Sequence, residues 1–255
     1  MLEDCDGEHL EHPTPPGWFD HERGPDAYPR DWRFGQDLVE ATRDAGVDHD
    51  IGSHTFSHVE LGAPTTSHRL ARAELAANIT AARQWGVEPT SFVFPRNNVG
   101  NRRVLAAYGF RCYRGVRPDE QQTEPITRRF RKLARGTVRT EPPPIVRPKI
   151  DSYGLVNVPA SLFLFGFEGT ARSVLTSLTE DPIVRQAKRG IDAAAEANGS
   201  GNEVFHMWLH PNNLVTPRDV RRVRRILAYL DAQRTAGRVS VETMAEVAAR
   251  TDRVR

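Results

Sequence analysis

The sequence is poor in cysteine and in lysine, and each shortage narrows the chemistry open to it. Only Cys5 and Cys112 occur in 255 residues, and they form no Cys-x-x-Cys pair. That absence removes the thiolate zinc clusters and dithiol redox motifs built on such spacing, and leaves a single disulfide open. Lysine occurs only at Lys132, Lys149 and Lys188, so nearly all of the 35 basic residues are arginine. Genomic base composition explains that bias at least as well as anion recognition does. Long apolar runs are missing too: none approaches the ~20 residues a membrane span needs. No basic-then-apolar leader opens the chain, which sets the expectation of a cytoplasmic protein. Neither an internal repeat nor a low-complexity linker is found. The 35 basic residues are nearly balanced by 33 acidic ones, a net charge of +2. This balance argues against a dedicated nucleic-acid or membrane binder, local arginine patches aside.

What is present is ordinary for a soluble globular protein: 27% charged and 38% hydrophobic residues. The length suits one domain with a sizeable core. Residues 1–30 are polar and proline-rich, with no strand pattern, and are expected to form an irregular segment before a domain over 31–255. From there strand-like and helix-like segments alternate. Helical periodicity covers Asp31 to Ala45, Thr66 to Trp85 and Arg102 to Tyr108. Asp181-Pro182 is a capping residue followed by proline, which opens a helix to about Ala197. Thr216-Pro-Arg-Asp219 opens another with a capping-box pattern, and Glu242 to Arg250 closes the chain. Strands are expected at Val47 to Ser53, Ser91 to Phe94, Phe110 to Tyr113, Val204 to Leu209 and Val239 to Ser240. Apolar segments lie at Gly154 to Val158 and Ser161 to Phe167, while 117–148 is expected to be an irregular excursion. Alternation of this kind implies an α/β fold with parallel strands and crossover helices, open or closed into a barrel.

Three strands end in polar clusters: His54 to His58 after the first, Pro95-Arg96 after Phe92-Val-Phe94, and His210 after Phe205-His-Met-Trp-Leu209. Active sites of parallel α/β folds gather at such carboxyl ends. His54 and His58 have the spacing that puts two imidazoles on one face of a helical turn, able to grip one ion. The bland alternative is two polar residues on a turn. His206 and His210 share the spacing, but on a strand they stand roughly 13 Å apart, too far to chelate together. His206 is therefore expected to be a packed or supporting residue. His210, at the strand tip, is the candidate for proton transfer, because imidazole titrates near neutrality. Arg96 reads equally as a site residue or a solvated surface arginine.

The run His54-Thr-Phe-Ser-His58 resembles the His-(Ser/Thr)-x-x-His metal motif of polysaccharide deacetylases, the NodB-like carbohydrate esterase family four. Asp50-Ile-Gly-Ser53 resembles the acidic lead-in to that motif. Phe92-Val-Phe-Pro95-Arg96 looks like the third motif of the family in its strand-Pro form. Trp208-Leu-His210 looks like the fifth, with Trp208 where leucine is usual, and Leu155-Val-Asn-Val-Pro159 loosely matches a substrate-groove segment. Taken in order, these pieces span most of residues 31–250.

The resemblance implies a distorted (β/α)7 barrel and a metal-dependent hydrolase that removes N-acetyl or O-acetyl groups from a polysaccharide or glycan. A divalent ion, zinc by ligand type, would sit on His54 and His58 and lower the pKa of a bound water toward ~7. Of the catalytic residues, His210 would protonate the leaving amine and Arg96 would orient the base; Pro95, Trp208 and Leu209 would contact substrate. The family also begins on a strand carrying an Asp-Asp pair, a metal ligand and the general base. No such strand precedes His54: Asp4, Asp6, Asp20 and Asp31 stand in loop-like sequence, and Asp50 lies on the wrong strand. The chain is therefore expected to lack the first strand, to leave Arg96 without a partner, and to bind metal weakly and catalyse poorly. Two other classes stay open. One is a catalytically silent carbohydrate-binding relative; the other is a different barrel-type metal hydrolase, which would want more histidines and a late aspartate at strand tips.

Overall fold

The computed structural model describes residues 35–116, 141–166, 180–197 and 201–253. The irregular segment expected over 1–30, the aspartates at 4, 6, 20 and 31, and residues 117–140 of the expected excursion lie outside them. The described residues are mixed α/β, with short strands and no closed barrel among them. They divide into two compact units. The first runs to Tyr113 and takes in Asp151–Leu155 and Thr243–Ala245. The second holds the remainder from Arg114 onward.

The first unit contains α1 (Gln36–Arg43), α2 (His68–Gln84), β1 (Ser91–Val93), α3 (Arg102–Ala107) and the start of β2 (Cys112–Gly115). Ser67 caps α2 by accepting from Leu70 N at 3.1 Å, which satisfies one of the orphan donors of the first turn. One face of α2 is buried along Leu70, Ala71, Glu74 and Leu75, the i, i+4 stripe that packs a helix on a core. Against it lie Val59, Leu61, Phe92, Phe94, Val104, Leu105, Phe110, Tyr113 and Leu155. The rings meet edge to face, Phe92 with Phe94 at 4.8 Å and with Phe110 at 5.4 Å, and Phe94 with Tyr113 at 5.5 Å. Burial of side chains this large contributes roughly 1.5–3 kcal/mol each. β1 lies beside β2. Arg102 donates to Asp151 Oδ2 at 2.9 Å, which fastens the 151–155 segment to this unit.

The strand expected over Val47 to Ser53 is reduced to a single parallel bridge, Ser53 to Phe92. Ser53 N donates to Ser91 O and Val93 N to Ser53 O, both at 2.9 Å. Upstream of the bridge Val47 is 64% exposed, so burial does not hold this stretch in a sheet. Asp50 acts structurally, its carboxylate accepting from Ser91 Oγ (2.8 Å) and from Ala245 N (3.0 Å). That second bond serves the start of α6 (Met244–Arg253). Cys112 lies nearby, buried, with Sγ donating to Met244 O at 3.5 Å. Burial, with the charge of Asp50 adding to it, pushes its thiol up to about 12. A group so rarely a thiolate is a poor nucleophile. With Cys5 replaced by serine, Cys112 should therefore resist a chromogenic disulfide reagent at about pH 8 until denaturant is added; rapid labelling of the native protein would contradict its burial.

In the second unit β2, β4 (Val156–Pro159) and β3 (Lys149–Ile150) are neighbours in that order. β3 and β4 are antiparallel, Lys149 opposite Asn157 and Ile150 opposite Val156. A separate parallel pair joins β5 (Leu162–Phe163) to β6 (Met207–Trp208), with Phe163 opposite Trp208. α4 (Pro182–Glu196) packs on α5 (Pro217–Thr235). Their shared core holds Leu162, Leu164, Phe165, Ile183, Val184, Ala187 and Ile226. Gly190 on α4 is needed for contact: a Cβ there would collide with the Phe205 ring. Both expected caps form. Asp181 accepts from Ile183 N at 2.9 Å, and a reciprocal box opens α5, Asp219 N donating to Thr216 Oγ1 and Thr216 N to Asp219 Oδ2. The strand expected over Val204 to Leu209 is interrupted. Val204 pairs with Val146, whereas His206 N donates to the Ser161 side chain at 3.0 Å and His206 O accepts from Ser161 N and Leu162 N. Val239 and Ser240 form no strand; the sequence there is too short, and Val241 is 56% exposed.

Candidate metal centre

His54 follows the Ser53 bridge, and its Nδ1 lies 2.7 Å from Val93 O at the end of β1. A carbonyl oxygen can only accept, so Nδ1 carries the proton and the lone pair of the neutral ring is on Nε2. Histidines that hold metals are oriented in this way, through a carbonyl or carboxylate on the other nitrogen. The His58 ring meets that of His54 edge to face, centroids 4.8 Å apart.

The spacing suggested a helical turn, but residues 54–58 are not helical. The rings converge because Thr55 (φ 63°) and His58 (φ 64°) are both left-handed. That conformation is uncommon for any side chain but glycine, and a true outlier for β-branched threonine. Backbone strain of this kind costs of order 1–3 kcal/mol per residue and persists only where surroundings over-determine it.

The surroundings are found on α2. Glu74 is fully buried and accepts from Phe56 N (3.0 Å), Ser57 N (2.9 Å) and Ser57 Oγ (2.6 Å). One turn further, Asn78 Nδ2 donates to Thr55 O at 3.1 Å. Neither residue stands out in the sequence as part of a site. The available signal was a carboxylate within the apolar stripe of α2, between Ala71 and Leu75.

Pro95 is buried and begins a short 3-10 turn, Pro95–Asn97. Arg96 (φ 52°) and Asn97 (φ 56°) within it are also left-handed. The expectation that Arg96 would lack a partner is overturned: its Nε lies 3.4 Å from Glu60 Oε1. Glu60 Oε2 accepts from Asn98 Nδ2 at 3.0 Å, so this carboxylate, two residues past His58, ties the histidine loop to the Pro95 turn. The Arg96 side chain is 54% exposed, so the pair is solvent-screened and adds little stability. The same two loops touch through glycine. A Cβ on Gly100 would strike Gly62 Cα, and one on Gly62 would strike the Asn98 carboxamide.

His210, Trp208 and Leu209 belong to the second unit, whereas His54, His58, Pro95 and Arg96 belong to the first. His210 is exposed and its ring lies edge-on to Trp208 (5.2 Å) and Phe163 (5.9 Å). Trp208 stacks on Phe163 with centroids 4.3 Å apart, and the Arg114 guanidinium lies 4.1 Å from the Trp208 ring centre. Burial lowers Arg114 to about 10, so it stays charged at neutral pH. Trp208 Nε1 is buried and has no hydrogen-bond partner among the described residues. Leu209 packs against the second core. His206 has the packed environment expected of it: its Nδ1 is 3.2 Å from Pro159 O. Burial, with the charge of Arg114 adding to it, drops its pKa to about 4 and keeps it neutral.

Two imidazole nitrogens form half of a tetrahedral zinc shell. Among the described residues no group of three or more His, Cys, Asp or Glu side chains is placed to share an ion. No helix described is long and apolar enough to cross a membrane. No protein-family model matches the chain, and no curated protein matches it.

Proposed function

We propose that the chain is a metal-dependent hydrolase of the polysaccharide deacetylase kind, built on a distorted (β/α)7 barrel and acting on acetyl groups of a polysaccharide or glycan. The observation that carries this reading is the convergence of His54 and His58, with His54 Nδ1 committed to Val93 O. The two imidazoles would hold a divalent ion, zinc by ligand type. An ion bound there would supply Lewis acidity toward a water and an acyl oxygen. Arg96, whose guanidinium is paired with Glu60 beside the histidine loop, takes the base-orienting role that its motif implies. Pro95, Trp208 and Leu209 take the substrate-contact role that their motifs imply. His210 takes the proton-donating role that its motif implies.

The test is calorimetric. Zinc or cobalt titrated into the chain should bind, and His54→Ala and His58→Ala should each weaken binding at least about tenfold, since each ring supplies one nitrogen to one ion. Equal affinity in the three proteins would sink the assignment.

A further inference from the structure

We propose that Glu74 is a positioning residue for the histidine pair, a buried carboxylate that preorganises His54 and His58 for one cation. The proposal rests on the reading of those histidines as metal ligands and adds the part of the protein that makes them usable. A carboxylate at 0% exposure, between Ala71 and Leu75 on the buried face of α2, is costly unless fully hydrogen-bonded. Its three bonds all go to Phe56 and Ser57, residues between the two histidines. Asn78, one turn along the same face, takes the carbonyl of Thr55. Three consecutive loop residues are thus held by one i, i+4 pair on a rigid helix.

The loop would not keep this shape unaided. Left-handed Thr55 and His58 both oppose it, and a plain helical turn would leave the Phe56 and Ser57 amides with no carboxylate to meet. Glu74 reverses that preference through charge-assisted bonds to two successive amides. The result is two rings 4.8 Å apart before any ion arrives. An ion then meets ligands already placed, and its affinity is not spent on ordering them.

A purely structural carboxylate would make a different prediction. Glu74→Gln keeps the shape of the side chain but loses its charge and one acceptor atom. Ser57→Ala and Asn78→Ala each remove one clamp bond and leave Glu74 buried. Melting in chelator reports folding, cobalt titration reports the site, and long-range nitrogen–proton NMR of the metal-free protein reports the His54 tautomer. Glu74→Gln should lose about 10–100-fold in cobalt affinity, the range for partners that orient ligands. It should melt within a few degrees of the parent in chelator and lose the fixed Nδ1–H tautomer of His54. The Ser57→Ala/Asn78→Ala double variant should show the same pattern more weakly, and serves if Glu74→Gln does not fold. The proposal is overturned if folded variants bind cobalt like the parent and keep the tautomer. It is also overturned if affinity falls only in step with melting temperature. Should the parent bind cobalt no better than His54→Ala, the metal reading fails, and the tautomer measurement alone then decides whether Glu74 holds the loop.

Discussion

Replacing His210 by alanine should cut acetate release from an N-acetylated glycan by about 10²–10⁴-fold, the usual contribution of a general acid. The zinc-loaded parent and variant are compared on a chitin-type oligomer where release by the parent stands above that of His54→Ala, and metal affinity should not change. His210 is exposed, so truncation opens no cavity. The 3-10 turn it precedes (Pro211–Asn213) is held by main-chain atoms of His210: its N–H donates to Asn213 Oδ1 at 3.2 Å, and its carbonyl accepts from Asn213 N at 2.9 Å. Alanine keeps both. What alanine loses is a ring resting edge-on against Trp208 and Phe163, worth about 1 kcal/mol. A melting temperature close to the parent's, with turnover largely lost, is therefore the signature of proton delivery. Unchanged turnover, or a loss explained by unfolding, would remove His210 from the mechanism; no turnover in the parent would favour a silent binding relative.

The sequence showed its local devices well. Asp181-Pro182 and Thr216 with Asp219 act through neighbours two or three positions away, and both caps form as their spacing implies. Strand content was overestimated where pattern alone carried it. Val47 to Ser53 has strand-forming residues at Val47 and Ile51 but too little burial, and one bridge at Ser53 is all that remains. The site was half legible. The spacing of His54 and His58 pointed to shared use, yet it suggested a helical turn, and the rings are brought together instead by two left-handed residues. What forces that geometry is Glu74, far along the chain on a helix where a glutamate normally faces water. Two of its three bonds are to main-chain amides, which carry no residue signature, and the third is to the Ser57 hydroxyl. The pairing of Arg96 with Glu60 was hidden for a related reason: it depends on two loops crossing at Gly62 and Gly100, and only tertiary structure reveals the crossing.

The second large effect concerns stability, and it comes from the pair that fastens the helices of the second unit. Asp181 caps α4 with Oδ1 and accepts from Arg222 Nε through Oδ2 at 2.9 Å. Arg222, on α5, also donates to Leu164 O at 3.0 Å, and its guanidinium lies 4.8 Å from the Phe165 ring centre. Its side chain is 1% exposed. This ion pair thus joins the start of α4, the buried face of α5 and the residue after β5. Asp181→Ala removes the cap of α4 and the carboxylate that meets the buried Arg222 guanidinium, so unfolding free energy should fall by about 3–5 kcal/mol. Urea titration followed by tryptophan fluorescence measures this, with an unchanged slope confirming that the same surface unfolds. Replacing both partners with apolar residues, Asp181→Leu with Arg222→Met, should cost much less than Asp181→Ala, because the buried guanidinium then leaves together with its carboxylate. A loss under about 1 kcal/mol in the single variant would mean that water reaches Arg222 and screens it as it does a surface charge.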